Sequence, residues 1–163
     1  MLGNRIIGAF ALRKSVYAQA KEVVSFTASA WALVVVAAFL NQLGSVASSS
    51  PLSWLIGAVS GTAFLIFGFV VGALVINWVG QVIFQADTGF DKLIRTLGLA
   101  YVWQVIGVLG ILSTFSEPLS GVLAMVMLLG LVMLIIAWLI AAKEALDLGW
   151  LQTAVTVILG WVA

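Results

Sequence analysis

Apolar runs broken by short polar turns divide the chain into five stretches, at roughly 23–46, 52–84, 93–112, 119–142 and 150–163. A helix needs about 20 predominantly apolar residues to cross a bilayer, and all but the last stretch reach that length. At about 1.5 Å per residue the last cannot cross a hydrocarbon core of about 30 Å. It must begin earlier, within 143–148, or stop inside the membrane, or be clipped. The second stretch has surplus length and must tilt, kink or emerge. Asn77, Gln81 and Gln85, spaced by four on one helix face, mark the end where it leaves the lipid. The turns agree with this division. Residues 44–51 are small and polar, 85–89 offer Asp87 or Thr88 as a helix cap, and 113–121 place Pro118 in the first turn of a new helix. Ahead of the first run, Ile6, Ile7, Phe10, Val16 and Tyr17 alternate with Arg5, Arg13, Lys14 and Lys21. That spacing predicts a short amphipathic helix over about 3–21, lying in the membrane interface. It lacks the short apolar core and small-residue cleavage site of a signal peptide.

Charge gives these runs an orientation. All seven Lys and Arg lie before the first run, between the second and third, or between the fourth and fifth: Arg5, Arg13, Lys14 and Lys21, then Lys92 and Arg95, then Lys143. Short loops rich in Lys and Arg stay cytoplasmic. The N-terminus is therefore expected inside and the C-terminus outside, with a cysteine at Ser49 labelled from outside and one at Thr88 only after permeabilisation. Composition supports the membrane reading: 64% of residues are apolar and 8% charged, where soluble domains carry about a quarter. The expectation is an all-α membrane protein, one domain over 1–163, with five transmembrane helices and the short interfacial helix.

The chain contains no His and no Cys. That removes His- and Cys-based nucleophile systems, thiolate and imidazole metal ligands, common haem ligands and disulfides. The six carboxylates, Glu22, Asp87, Asp91, Glu117, Glu144 and Asp147, all fall in loops or at span ends, where solvated charge is the ordinary state. Asp87 and Asp91 could contribute to a Mg²⁺ or Ca²⁺ site, but their spacing does not favour one. No glycine-rich phosphate loop is present. Ion transport leaves a charged residue inside the hydrocarbon region, and here Gln104 is the deepest strongly polar side chain, with Ser25, Thr27, Ser29, Thr62, Thr153 and Thr156 as weaker ones. These are expected to hydrogen-bond a neighbouring helix or their own backbone. No enzyme, metal, cofactor or nucleic-acid partner is expected.

Packing signals are stronger. Gly57 and Gly61 form one small-xxx-small pair in the second run and Gly68 and Gly72 another, with Gly107 and Gly110 in the third run and Gly121 and Gly130 around the fourth. Such pairs let helix backbones approach closely within lipid. Leucine at Gly61 or Gly68 is accordingly expected to destabilise far more than leucine at Gly44, which falls in a turn. Trp54, Trp78, Trp150 and Trp161 suit interfaces, whereas Trp31, Trp103 and Trp138 fall inside spans, as helix-contact residues or as cofactor-facing rings, with contact the preferred reading.

Two stretches carry a resemblance. Gly89-Phe90-Asp91-Lys92-Leu93-Ile94-Arg95-Thr96-Leu97-Gly98-Leu99-Ala100 resembles the F-x-x-L-L-R-x-L-G-x-A signature of prokaryotic Yip1-domain membrane proteins. Ala141-Ala142-Lys143-Glu144-Ala145-Leu146-Asp147, followed by Gly160-Trp161, is similar to their A-V-R-x-A-L-D-F … G-W ending, and Arg5-Ile6-Ile7-Gly8-Ala9 with Tyr17 to their opening. The departures are Glu22-Val23-Val24-Ser25, where relatives carry Asp-Pro, and Leu146-Asp147-Leu148-Gly149-Trp150 in place of L-D-F-S-T-G. The resemblance implies a small five-helix protein with a cytoplasmic N-terminus. Eukaryotic members serve vesicle traffic and bind small GTPases through a longer cytoplasmic region, so GTPase binding is not carried over; bacterial members have no settled activity.

Asp91 precedes Arg95 by four residues, the favourable order for a helical ion pair. A cytoplasmic charge cluster of Asp91, Arg95, Lys143 and Asp147 is therefore expected, with Arg95 tied to Asp91 or Asp147. The functional expectation is a non-catalytic, structural or interaction protein of membrane organisation in a prokaryotic cytoplasmic membrane. Its partners would be the lipid bilayer and a membrane protein or a second copy. An accessory or assembly subunit of a respiratory or photosynthetic complex is the alternative, and a small carrier or channel the third.

Overall fold

A computed structural model of the chain describes residues 2–46, 50–114 and 120–162. Ser49, Glu117 and Pro118 lie outside the described residues. The described elements are helices: α1 (Leu2–Phe10), α2 (Lys14–Glu22), α3 (Phe26–Ser45), α4 (Pro51–Val82), α5 (Phe90–Ala100) continuing as a 3₁₀ helix (Tyr101–Thr114), α6 (Ser120–Leu146) and α7 (Trp150–Val162). Four helical stretches are long and apolar enough to cross a membrane: Phe26–Ser45, Pro51–Val82, Phe90–Ser113 and Ser120–Leu146. This is a multi-pass membrane protein. The outward faces of α4 and α6 are bare and apolar, with Phe64 at 77%, Phe67 at 68% and Met125 at 71% exposure, surface that lipid rather than water must cover. At about 1.5 Å per residue, α7 is about 20 Å long.

The core gathers around α5. Every residue over 93–100 is buried, because α1, α2, α3, α4 and α6 all pack against this one helix. The third crossing runs parallel to α3. Gly98 lies against the Ala30 backbone, Gly107 against Asn41 and Gly110 against the Gly44 carbonyl. Between Gly44 and Gly107 the two backbones touch: a Cβ on Gly44 would sit on the Gly107 carbonyl oxygen, with the Gly107 carbonyl carbon at 2.8 Å and Val108 Cα at 3.0 Å. The 3₁₀ geometry makes this seam. With three residues per turn, residues i and i+3 eclipse, so Gln104, Gly107 and Gly110 form one straight row facing α3, extended in sequence by Tyr101 and Ser113. The seam is closed by Asn41, whose Nδ2 donates to the Gln104 carbonyl at 3.1 Å and to Gln104 Oε1 at 2.8 Å.

The N-terminal region differs from the single helix expected over 3–21. It breaks at Leu12, whose φ of 52° is left-handed, and folds back as a hairpin. The fold-back brings Gly8 against Val16 and buries Tyr17, whose hydroxyl donates to the Ala9 carbonyl at 3.3 Å. Trp103 Nε1 donates to the same carbonyl at 3.4 Å, so the Ala9 carbonyl, which also accepts from the Leu12 N–H at 3.0 Å in the turn, gathers two long aromatic side chains at the end of α1. The third run also begins earlier than expected, at Phe90, and is only partly α-helical.

Candidate functional site

The cations collect at the end of the bundle where α3, α5 and α7 begin and α4 and α6 finish. Three of them frame the α6–α7 turn. Lys21 Nζ donates to the Asp147 carboxylate at 2.7 Å. Lys143 donates to the Leu148 carbonyl at 3.2 Å and lies 5.3 Å from the centre of the Trp150 ring. Lys14 lies 5.2 Å from that same centre, so two ammonium groups share one indole face or edge, each contact contributing about 0.5–1 kcal/mol at an exposed site. Arg5 stacks on Phe26 at the start of α3, 4.7 Å from its centre. Thus α2, which the sequence offered only as part of an interfacial helix, packs across the cation-bearing ends of α5 and α6 and ties to the turn after α6.

Arg95 stands apart. It is 4% exposed, and its Nε is buried with no hydrogen-bond partner. Among the described residues it makes no ion pair, with Asp91 or any other acid. This corrects the expected cluster: Asp147 is paired with Lys21, Asp91 is exposed, and Arg95 pairs with neither, its Nε buried without a partner among the described residues. The physical reason is tertiary. Docking of α2 against α5 and α6 delivers Lys21 to Asp147 from far along the chain, a contact that four-residue spacing does not show. A buried guanidinium without a counter-charge is costly, and its planar fork suits the two oxygens of a phosphate or carboxylate.

The packing glycines divide. Gly57 lies 3.3 Å, measured from an ideal Cβ, from the Val46 side chain; Gly61 presses on Gln42, and Gly72 lies 2.9 Å from the Gly160 carbonyl. Gly68 has nothing within 4 Å, so it is not a packing residue, whereas Gly44, assigned to a turn, belongs to the tightest backbone contact. Gln104 bonds across to α3 as expected, but its partner Asn41 was not singled out. Thr27, Thr62, Thr153 and Thr156 bond back to their own chain, at the carbonyls of Val24, Ala58, Gly149 and Gln152. Thr88 is buried, which makes it a poor position for a labelling cysteine; exposed Gly89 beside it serves instead. Among the described residues no three acidic side chains converge as a metal site, so Asp87 and Asp91 gain no third ligand. Among the described residues, Arg95 Nε is an unpartnered donor at this end. No family model, no curated protein and no solved structure matches the chain.

Proposed function

We propose that the chain is a non-catalytic, Yip1-like integral membrane protein with a structural or interaction role in membrane organisation, and that its cation-bearing end is the working face. In this reading α7, about 20 Å long, makes a fifth crossing by thinning the bilayer around it, and the N-terminus is cytoplasmic and the C-terminus outside, in a prokaryotic cytoplasmic membrane. The observation that supports it is Arg95, buried and without an acidic partner among the described residues, on the helix α5 against which the basic α1–α2 hairpin packs. The missing partner is supplied from outside the chain, as the phosphate of a lipid headgroup or the carboxylate of a bound protein.

The test compares thermal unfolding in nanodiscs of zwitterionic lipid alone and with added anionic phosphatidylglycerol. Anionic lipid should stabilise the wild type and leave Arg95→Met unmoved. An equal response of both proteins would remove Arg95 from headgroup binding. Copurification in mild detergent separates the two sources: a stoichiometric partner lost on Arg95→Met assigns the anion to a protein. A cysteine at Gly89 should be labelled only after permeabilisation, and labelling in intact cells would overturn the orientation.

A further inference from the structure

Between α4, the 3₁₀ helix, α6 and α7 lies a slot of about 520 Å³ that opens on the side of the bundle. Binding sites for small molecules fall in the range of about 300–1,000 Å³. Its walls are aromatic. Phe69 meets Tyr101 edge to face at 5.1 Å and Trp138 at 5.8 Å, and Trp138 meets Trp161 at 5.6 Å. Gly72 lies ten residues before the end of α4, about 15 Å along the helix. The slot's wall on α4, from Gly72 back to Phe64, therefore runs from about the middle of a core about 30 Å thick toward its far side when the end of α4 sits at its boundary.

The polar groups of the slot are unbalanced. Trp138, which lines it, is 4% exposed, and its indole N–H has no partner. Gln104 also lines it. The orientation of its amide is fixed, because Asn41 Nδ2 faces the Gln104 backbone carbonyl and must be a donor; the group it meets on the Gln104 side chain is therefore Oε1. Gln104 Nε2 is left with two N–H groups and no partner among the described residues. Tyr101 sends its O–H to the Leu65 carbonyl. Two donors beside the slot, the buried Trp138 N–H and Gln104 Nε2, thus have no partner among the described residues, while Gln104 Oε1 already accepts from Asn41. Gly68 is the second sign. It lines the slot with open space where a Cβ would be, although glycine in a helix costs about 1 kcal/mol relative to alanine. Gly68 is exposed, and no packing among the described residues accounts for it.

We propose that this slot binds a lipid-soluble molecule of the quinone class, a flat ring with carbonyl acceptors, taken between the aromatic walls, bonded by Trp138 Nε1 and Gln104 Nε2, and given room by Gly68. Unpartnered donors select an acceptor-rich ligand, and aromatic walls select a flat ring over the ester carbonyls of a phospholipid. The tail leaves past Phe64 and Phe67, which line the open side and face lipid.

The test measures retention of a radiolabelled, short-tailed benzoquinone by the protein in nanodiscs, over that of empty nanodiscs. The wild type should bind saturably. Trp138→Phe keeps a ring and removes the donor, and should weaken binding about three- to tenfold, the worth of one hydrogen bond. Gly68→Leu, whose Cβ meets no atom within 4 Å, should fold as the wild type does by circular dichroism and gel filtration, yet lose binding because its side chain extends into the slot. Uptake that rises linearly with quinone and is equal in all three proteins would overturn the proposal. So would unchanged binding in a folded Gly68→Leu, or equal competition from an alkyl ester without a ring, which would make the occupant an acyl chain.

Discussion

Replacing Gly44 with alanine adds one methyl group where α3 and the 3₁₀ helix touch backbone to backbone. The new Cβ would overlap the Gly107 carbonyl oxygen and lie 2.8 Å from its carbon. Neither atom belongs to a flexible side chain, so the helices must separate. Overpacking of this kind costs about 1–3 kcal/mol. Opening the seam by about 1 Å also forfeits up to half of each contact's dispersion energy, and it stretches the two bonds from Asn41 to Gln104, three residues away. Such interhelical bonds average about 0.6 kcal/mol each in a membrane, so a total of about 2–4 kcal/mol is expected. Reversible unfolding of the purified protein in mixed micelles, titrated with denaturing detergent, reads this directly. Gly68→Ala is the control, since its Cβ meets open space, and it should lose nothing. Equal losses at Gly44 and Gly68 would show that the seam is not as close as described, and the reasoning would fail with it.

Three further outcomes follow from the same geometry. In double-mutant cycles Arg95 should couple to Asp91 and to Asp147 by less than about 0.5 kcal/mol, while Lys21 and Asp147, a pair with one largely exposed member, should couple by about 0.2–1 kcal/mol and lose that in high salt; a strong Arg95–Asp147 term would restore the pairing corrected above. Gln85→Gly should stabilise by about 1 kcal/mol in the same unfolding assay, because Gln85 holds a φ of 55° that an L-residue resists, and a loss there would mean that its side chain matters more than its backbone. Burial pushes the Tyr17 phenol well above its usual range, so it stays protonated in the fold while an unfolded phenol ionises near pH 10; stability is full below that value and falls as pH rises past it, and Tyr17→Phe should show a shallower alkaline fall, an identical fall counting against burial of the hydroxyl.

Much of the architecture was legible because a bilayer imposes long apolar runs. The starts of α4, α6 and α7 fall within one residue of the apolar runs, and Gln104 stood out as the deep polar side chain. What was hidden depends on contacts between distant segments. The docking of α2, the Lys21–Asp147 pair and the isolation of Arg95 have no local signature, and the break at Leu12 puts leucine where turn chemistry would suggest glycine. Glycines spaced by four pointed to α-helical packing and so to Gly68, which packs against nothing. A three-residue period was nonetheless written in the third crossing: Tyr101, Gln104, Gly107, Gly110 and Ser113 recur at that spacing among aliphatic residues and one Trp. Reading for three as well as for four would have found the seam and, with it, Asn41.

That period makes the seam behave like a reading frame. In a 3₁₀ helix each residue turns the chain by about 120°, so inserting or deleting one residue between Gln104 and Gly107 would carry the glycines off the α3 side and bring Val108 or Ile106, then Ile111 or Leu109, onto it. Changes of three residues keep the frame and merely slide the seam along. Length variation in this crossing is therefore tolerated in multiples of three, a rule that the α-helical crossings beside it do not share.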